Sequence, residues 1–304
     1  MAIPMNSVDF RSITAPILNE AFDGVYELRQ DQWKGIFVEK QGTKRKYHEE
    51  PVLFGFNQAP EMPEGTPVIY DAGGQLFNKR YIYKVYGLGF AITKVAVEDG
   101  EHINLGQTYA KHLAQSLIDT KETLAANVLN RAFNNAYPGG DGVSLINSAH
   151  PIANGTFSNI LSTPANLSQT SLEQMLIQIS NAVDNNGKKI TLTPKAIVSG
   201  SNYMYQGEVL LNSFLRAGTS NNDINPVKSM GMLKDGHKVM NRITSTTSWF
   251  ITTDAPVGGF LMMRRKLEKS MEGDFETDSM RYKATERYDL GWTDPRWMFG
   301  TQGV

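Results

Sequence analysis

The chain has 304 residues, with 30 basic side chains against 31 acidic ones and a formal charge of −1. That length buries one large or two medium cores, and that balance excludes a polybasic groove and sequence-specific DNA binding as the main theme. The absence of cysteine excludes disulfides, thiolate metal sites and a cysteine nucleophile.

The opening residues, MAIPMNSVDF, lack the charged region and apolar run of a signal peptide. No apolar run approaches the roughly 20 residues that span a bilayer, so a soluble product without a membrane partner is expected. Residues 1–30 read as an N-terminal arm, with Thr14–Leu18 and Ala21–Leu28 able to form a short helix. Trp33 and Gly35–Val38 read as strand, and Gln41–Tyr47 as a polar turn. Within that turn, Lys44, Arg45 and Lys46 make a solvated patch or a charge contact between subunits.

Pro51–Phe56 is a short apolar run, and residues 57–67 carry Pro60, Pro63 and Pro67, which rule out helix and interior sheet there. After Val68-Ile69-Tyr70, Asp71-Ala72-Gly73-Gly74 turns the chain. Asn78–Tyr86 then alternates tyrosines with basic residues, as a strand does. Two extended arms around a proline-bearing middle form a long hairpin with little core of its own. Pro60, Pro63, Tyr70, Lys79, Tyr81, Tyr83 and Lys84 are its candidate contacts with other subunits, because exposed aromatics in a monomer are a liability that assembly removes. Gly87–Val97 reads as a second strand. Gly87-x-Gly89 lacks the third glycine and the following helix of a dinucleotide loop.

Residues 101–135 contain no proline and one glycine, Gly106. Leu113, Leu117, Leu124 and Val128, with Ala110 and Ala132, recur at helical spacing and predict one helix with a buried face. Such a helix is about 50 Å long, whereas a globule of this length has a radius of gyration of about 19 Å. It reads as a spine, and it breaks at Tyr137-Pro138-Gly139-Gly140. The polar connection 137–168 follows. Asp141, Ser148 and His150 within it can be drawn as a triad, but the serine lacks a strand–elbow–helix setting.

Residues 165–255 have the texture of an α/β module. Thr170 and Glu173 are spaced as a capping box ahead of Leu172, Met175, Leu176, Ile179 and Val183. A strand follows over 189–199, interrupted by Pro194, then a short helix over 202–214. His237–Arg242 and Ser248–Thr252 read as paired strands. In the tail, 258–267 and 279–288 read as strands around the acidic turn 271–278, whose oxygens lack EF-hand spacing. No HExxH, paired CxxC or Walker A sequence occurs, and the five histidines are scattered. These features favour a structural or interaction protein over an enzyme, without a cofactor.

The order of elements, with Tyr86-Gly87-Leu88-Gly89-Phe90-Ala91-Ile92-Thr93, the stretch from Asp141 to Pro151 with Gly155–Asn159, and Gly291–Arg296 with Phe299-Gly300, resembles the major capsid proteins of tailed double-stranded DNA bacteriophages. The resemblance implies an α+β, HK97-like capsid fold: N-terminal arm 1–45, extended E-loop 46–86, peripheral domain 87–165 with the spine helix, axial domain 166–255, and closing peripheral strands 256–304. It implies pentamers and hexamers of this chain in an icosahedral shell around DNA, in a virion assembled in the host cytoplasm. A portal and possible decoration or cement proteins would accompany it.

Two departures from the namesake follow. About 45 residues precede the E-loop, so a separate scaffolding protein is expected. No asparagine follows Asn241 to pair with a loop lysine, so a shell without covalent crosslinks is expected. An encapsulin-like compartment shell shares the fold and is the alternative, ahead of a hydrolase built on the 141–150 loop.

Overall fold

In the computed structural model, residues 7–28, 31–93, 95–96, 102–216, 223–274 and 279–304 are described, with side chains from Thr14 onward and from Ile103 in the long helix. Glu101 and half of the acidic turn, 275–278, lie outside them.

Helix α1 (Ser7–Tyr26) runs through Pro16 and is longer than the short helix expected of the arm. A short 3₁₀ turn, Gln32–Gly35, replaces part of the strand expected around Trp33, and β1 (Val38–Gln41) begins three residues later. Strands β2 (Tyr47–Phe54) and β3 (Gly74–Ile82) pair antiparallel as the expected hairpin. Strand β4 (Lys84–Ile92) leads to the long helix α2 (His102–Asn130). The helix stops short of Asn135. There the Asn130 side chain turns outward, its Nδ2 donating to the carbonyl of Arg242 and its Oδ1 accepting from the amide of Thr244, while Ala132 bonds back only to Leu129.

Beyond the short pair β5 (His150–Ile152) and β6 (Gly155–Phe157), helix α3 spans Gln169–Ser180. Its cap is the Ser168–Ser171 pair. The expected partner Glu173 instead accepts from Gln169 and pairs with Arg216. The remaining elements are β7 (Pro194–Ser199), α4 (Met204–Asn212), α5 (Pro226–Met230), β8 (Gly236–Val239), β9 (Trp249–Thr253), β10 (Gly259–Gly273), β11 (Met280–Trp292) and β12 (Met298–Thr301). The strand expected from 189 starts only at Pro194, which lacks the amide that a ladder requires.

Two four-stranded sheets organise the body. The first has the order β1-β10-β11-β4, with β10 and β11 forming a long antiparallel hairpin. Alternation sorts β11. Tyr282, Ala284, Glu286 and Tyr288 are buried beneath α1 and α2, whereas Arg281 and Lys283 face out. Gly87 and Gly89 sit against this strand. A Cβ on Gly87 would lie 2.6 Å from Thr285 Cγ2, and one on Gly89 2.7 Å from the carbonyl oxygen of Tyr282. Close packing, not a phosphate, explains the pair.

The second sheet has the order β12-β9-β7-β8. Strands β8 and β9 do not pair with each other; both pair with β7, one parallel and one antiparallel. Nor does residue 298 onward stay with the peripheral strands, because β12 pairs with β9. Strands β7 and β9 are buried on both faces, so their apolar runs are nearly continuous. One face packs Ile197, Trp249, Ile251 and Phe299 on Leu172, Met175 and Ile179 of α3. The other packs Val198, Phe250 and Met298 into a core with Trp33, Ala125 and Leu129. A third cluster joins Leu18 and Phe22 of α1 to Ala110, Leu113 and Leu117 of α2.

Candidate functional site

The hairpin β2–β3 is locked along its base. Arg80 meets Glu49 across the ladder at 2.7 Å, and Glu50 draws in both His48 at 2.7 Å and Lys40 at 3.1 Å. Those partners hold the Glu50 carboxyl below its usual range despite its partial burial. Further out, Asn185 donates to the carbonyl of Leu53 at 2.8 Å, Asn186 to that of Gly55 at 2.6 Å, and Lys188 to that of Phe56. The hairpin thus lies across the turn that follows α3. Beyond it, residues 55–73 are all exposed. Asp71 closes this tip on itself by accepting from the amides of Asn57 and Ala72, which keeps its carboxyl ionised to lower pH.

Of the contacts expected between subunits, Lys44, Arg45, Lys46, Pro60, Pro63 and Lys84 are exposed and Tyr70 is 94% exposed. Lys79 is half-buried. Tyr81 and Tyr83 are not available to a neighbour: both are buried with Phe260 and Met262 inside their own subunit. The Tyr81 hydroxyl bonds Thr293 at 2.7 Å, and Tyr83 accepts from the amide of Thr43 at 2.9 Å. Strand alternation had placed them on one face; that face turns inward at the hairpin base. Along the spine, Leu113 and Leu117 are buried against α1, while Leu124 and Val128 are half-buried and pack on the second core.

The loop after the spine does not assemble a triad. His150 Nδ1 lies 2.6 Å from Asp141 Oδ2 and its Nε2 lies 3.1 Å from Asn159 Oδ1, with both His150 and Asp141 sealed from solvent. Ser148 is exposed and makes no hydrogen bond to His150 among the described residues. A second serine–histidine pair, Ser199 Oγ and His237 Nε2 at 2.8 Å, passed unnoticed in the sequence because its members are 38 residues apart. Ser199 is wholly buried, and a Cβ on Gly207 would fall 2.2 Å from His237 Nδ1, so no substrate reaches either atom. Burial pushes the His237 pKa down.

A model of the phage capsid protein family matches residues 81–300. The chain belongs to the phage capsid protein family. No curated protein matches it in sequence. Among solved structures, the capsid of cyanophage P-SCSP1u is 11% identical with a TM-score of 0.60, over 90% of this chain and 88% of that one. A chain of Mycobacterium phage Che8 matches at 11% identity and 0.53, over 90% and 93%. A virus-like particle from Pyrococcus furiosus matches at 11% and 0.50, over 94% and 98%. What is shared at that identity is the fold, an α+β, HK97-like capsid fold.

This capsid protein is therefore a structural protein of the virion shell, and the surfaces it leaves bare gain meaning. One is the hairpin tip. Another lies at the far end of the inserted module, where Tyr205, Val209, Phe214, Leu215, Ile224 and Met230 are all exposed. Their sequence signal was present in the apolar residues around α4, but periodicity alone cannot separate a core face from an interface.

Proposed function

We propose that this protein is the major head subunit of a tailed phage and closes, with many copies of itself arranged as pentamers and hexamers, an icosahedral shell around double-stranded DNA. The family match over residues 81–300 carries the reading. The division into arm 1–45, E-loop 46–86, peripheral domain 87–165 with 256–297, and axial domain 166–255 completed by 298–301 belongs to the same proposal. In it the exposed tip 55–73 and the basic turn Lys44-Arg45-Lys46 touch neighbouring subunits. The apolar patch from Tyr205 to Met230 meets its equivalents around the capsomer axes, an apolar area that a lone subunit would leave wet.

Assembly in the host cytoplasm uses a separate scaffolding protein and a portal, and decoration proteins are possible additions. The role is mechanical and no catalytic step is assigned. Near-zero net charge suits a wall that must hold DNA without adhering to it. The alternative, a compartment shell enclosing protein cargo, shares the fold, but the family match favours the phage head. Electron microscopy of purified particles, with assay of their nucleic acid, tests the proposal. DNA-filled icosahedral heads are expected; particles holding only protein cargo, or none, would overturn it. Denaturing electrophoresis of mature heads should give a band at 33.8 kDa and no covalent ladder above it.

A further inference from the structure

A cleft of about 420 Å³ opens between the base of the hairpin, β11 and the end of α2. Lys79, Lys84 and Arg131 line it, and Trp292 closes one side. Gly139 and Gly140 allow its wall to form, since a Cβ on the first would meet the Trp292 ring at 2.1 Å and one on the second would meet Phe77 at 2.9 Å. Asp289 is the one carboxylate in the lining; its Oδ2 accepts from the amide of Ile82 at 2.8 Å, and its charge faces both Lys79 and Lys84. Arg80 also lines the cleft but is spent on Glu49.

Lys79, Lys84 and Arg131 make no salt bridge among the described residues. Arg131 instead rests 4.2 Å from the Tyr137 ring, and Lys79 5.8 Å from that of Trp292. Burial pushes the Lys79 pKa down, against the opposing pull of Asp289 and Asp141. One lining carboxylate against Lys79, Lys84 and Arg131 leaves the cleft with an excess of positive charge that a further carboxylate would balance.

The chain carries such a group. Residues 55–73 contain Glu61, Glu64 and Asp71 and no lysine or arginine. Asp71 is engaged within the tip, while Glu61 and Glu64 are exposed and make no ion pair among the described residues. Pro60, Pro63 and Pro67 keep their backbone extended and free of ladder partners.

The tip leaves β3 at Gly74, about 17 Å from Lys79 at ~3.3 Å per residue, and the outer end of the hairpin is bonded to the turn at 185–188. A subunit keeps its tip out of its own cleft, with residues 55–73 exposed throughout. We propose that the cleft of Lys79, Lys84 and Arg131 receives Glu61-Met62-Pro63-Glu64 from a second copy of this chain. The contact is head-to-tail, so it propagates around a ring and closes when the rotation allows. It rests on the shell-forming reading above and names the partner surface within it.

Charge reversal tests it on the full-length chain. Lys84→Glu with Arg131→Glu, and separately Glu61→Lys with Glu64→Lys, should each raise the concentration needed for particle assembly at least about tenfold, because like charges then face each other. Combining all four should return it to within about threefold of the native value. Thermal unfolding of each unassembled subunit checks that folding is unchanged, and the tip variant, altered only at exposed residues, keeps the test valid if the other pair misfolds. Normal assembly by both pairs, or a quadruple variant no better than its parents, overturns the docking alone. A native chain that forms no particle removes the shell reading as well.

Discussion

Asn159 is wholly buried, and its hydrogen bonds fix its own orientation. Its Nδ2 faces the carbonyls of Leu145, Pro295 and Met298 at 2.7, 3.1 and 2.9 Å, so the other atom must be the oxygen that accepts from the amide of Asn147 and from His150 Nε2. His150 then donates from Nε2 to Asn159, and its Nδ1 is paired with Asp141 Oδ2. One amide side chain thus ties the loop after the spine to the segment that carries β12. Asn159→Leu should cost about 3 kcal/mol or more, because several buried groups lose their partner together; urea unfolding measures it, and a loss under about 1 kcal/mol would refute the network. The sequence showed Asn159 only as the end of the Gly155–Asn159 stretch and not its bonds, since two of its carbonyls come from 136 and 139 positions away. His237 makes a pH-dependent contribution. Its pKa is depressed in the folded subunit, so the unfolded chain binds the proton more readily and stability falls as pH drops below about 6.5. His237→Gln should flatten that part of the stability profile, read from unfolding midpoints between pH 5 and 7.

At the scale of elements, α1 and α2 are joined by more than apolar packing. Lys121 of α2 approaches Glu286 of β11 at 2.5 Å, with side chains 8% and 1% exposed, and Tyr26 of α1 donates to the other Glu286 oxygen at 2.8 Å. The contact of Lys121 with its oxygen is ionic, without hydrogen-bond alignment, so Tyr26 supplies the directional bond. Lys121→Met alone should destabilise by about 3–5 kcal/mol, since it strands a buried carboxylate. Adding Glu286→Leu should recover most of that, and Tyr26→Phe should cost about 1.5–3 kcal/mol, because it removes the hydrogen bond to a buried carboxylate. Leu117→Asp with Leu124→Asp should abolish folding, with soluble expression and circular dichroism as the check. The spine was legible because a 3.6-residue period survives any context. The pairing of β7 with both β8 and β9 was not, because alternation assigns faces and leaves partners open, and the arm hid its docking because Leu18 and Phe22 make only two apolar positions one turn apart.

For the whole molecule, the order of arm, hairpin, spine and inserted module was readable from where prolines, glycines and periods fall. The surfaces between copies were read less well. Tyr81 and Tyr83 were expected outside and are core, while the patch from Tyr205 to Met230 was not singled out; both depend on how elements stack, which is absent from local pattern. Deleting residues 57–70 should leave the subunit's melting temperature unchanged, because that segment buries nothing, yet prevent stable particles from forming in sedimentation. The position of β12 bears on timing. Phe299 completes the core under α3 and Met298 the core beside the spine, and both follow every other described strand in the chain. Neither core can close on a nascent subunit until these residues have left the ribosome, so sticky surfaces take their native form only after β12 has emerged. Ribosome-bound chains halted before residue 298 should accordingly remain open to protease across both cores. Synthesis itself then meters the supply of wall segments, and a half-made subunit cannot seed a defective shell.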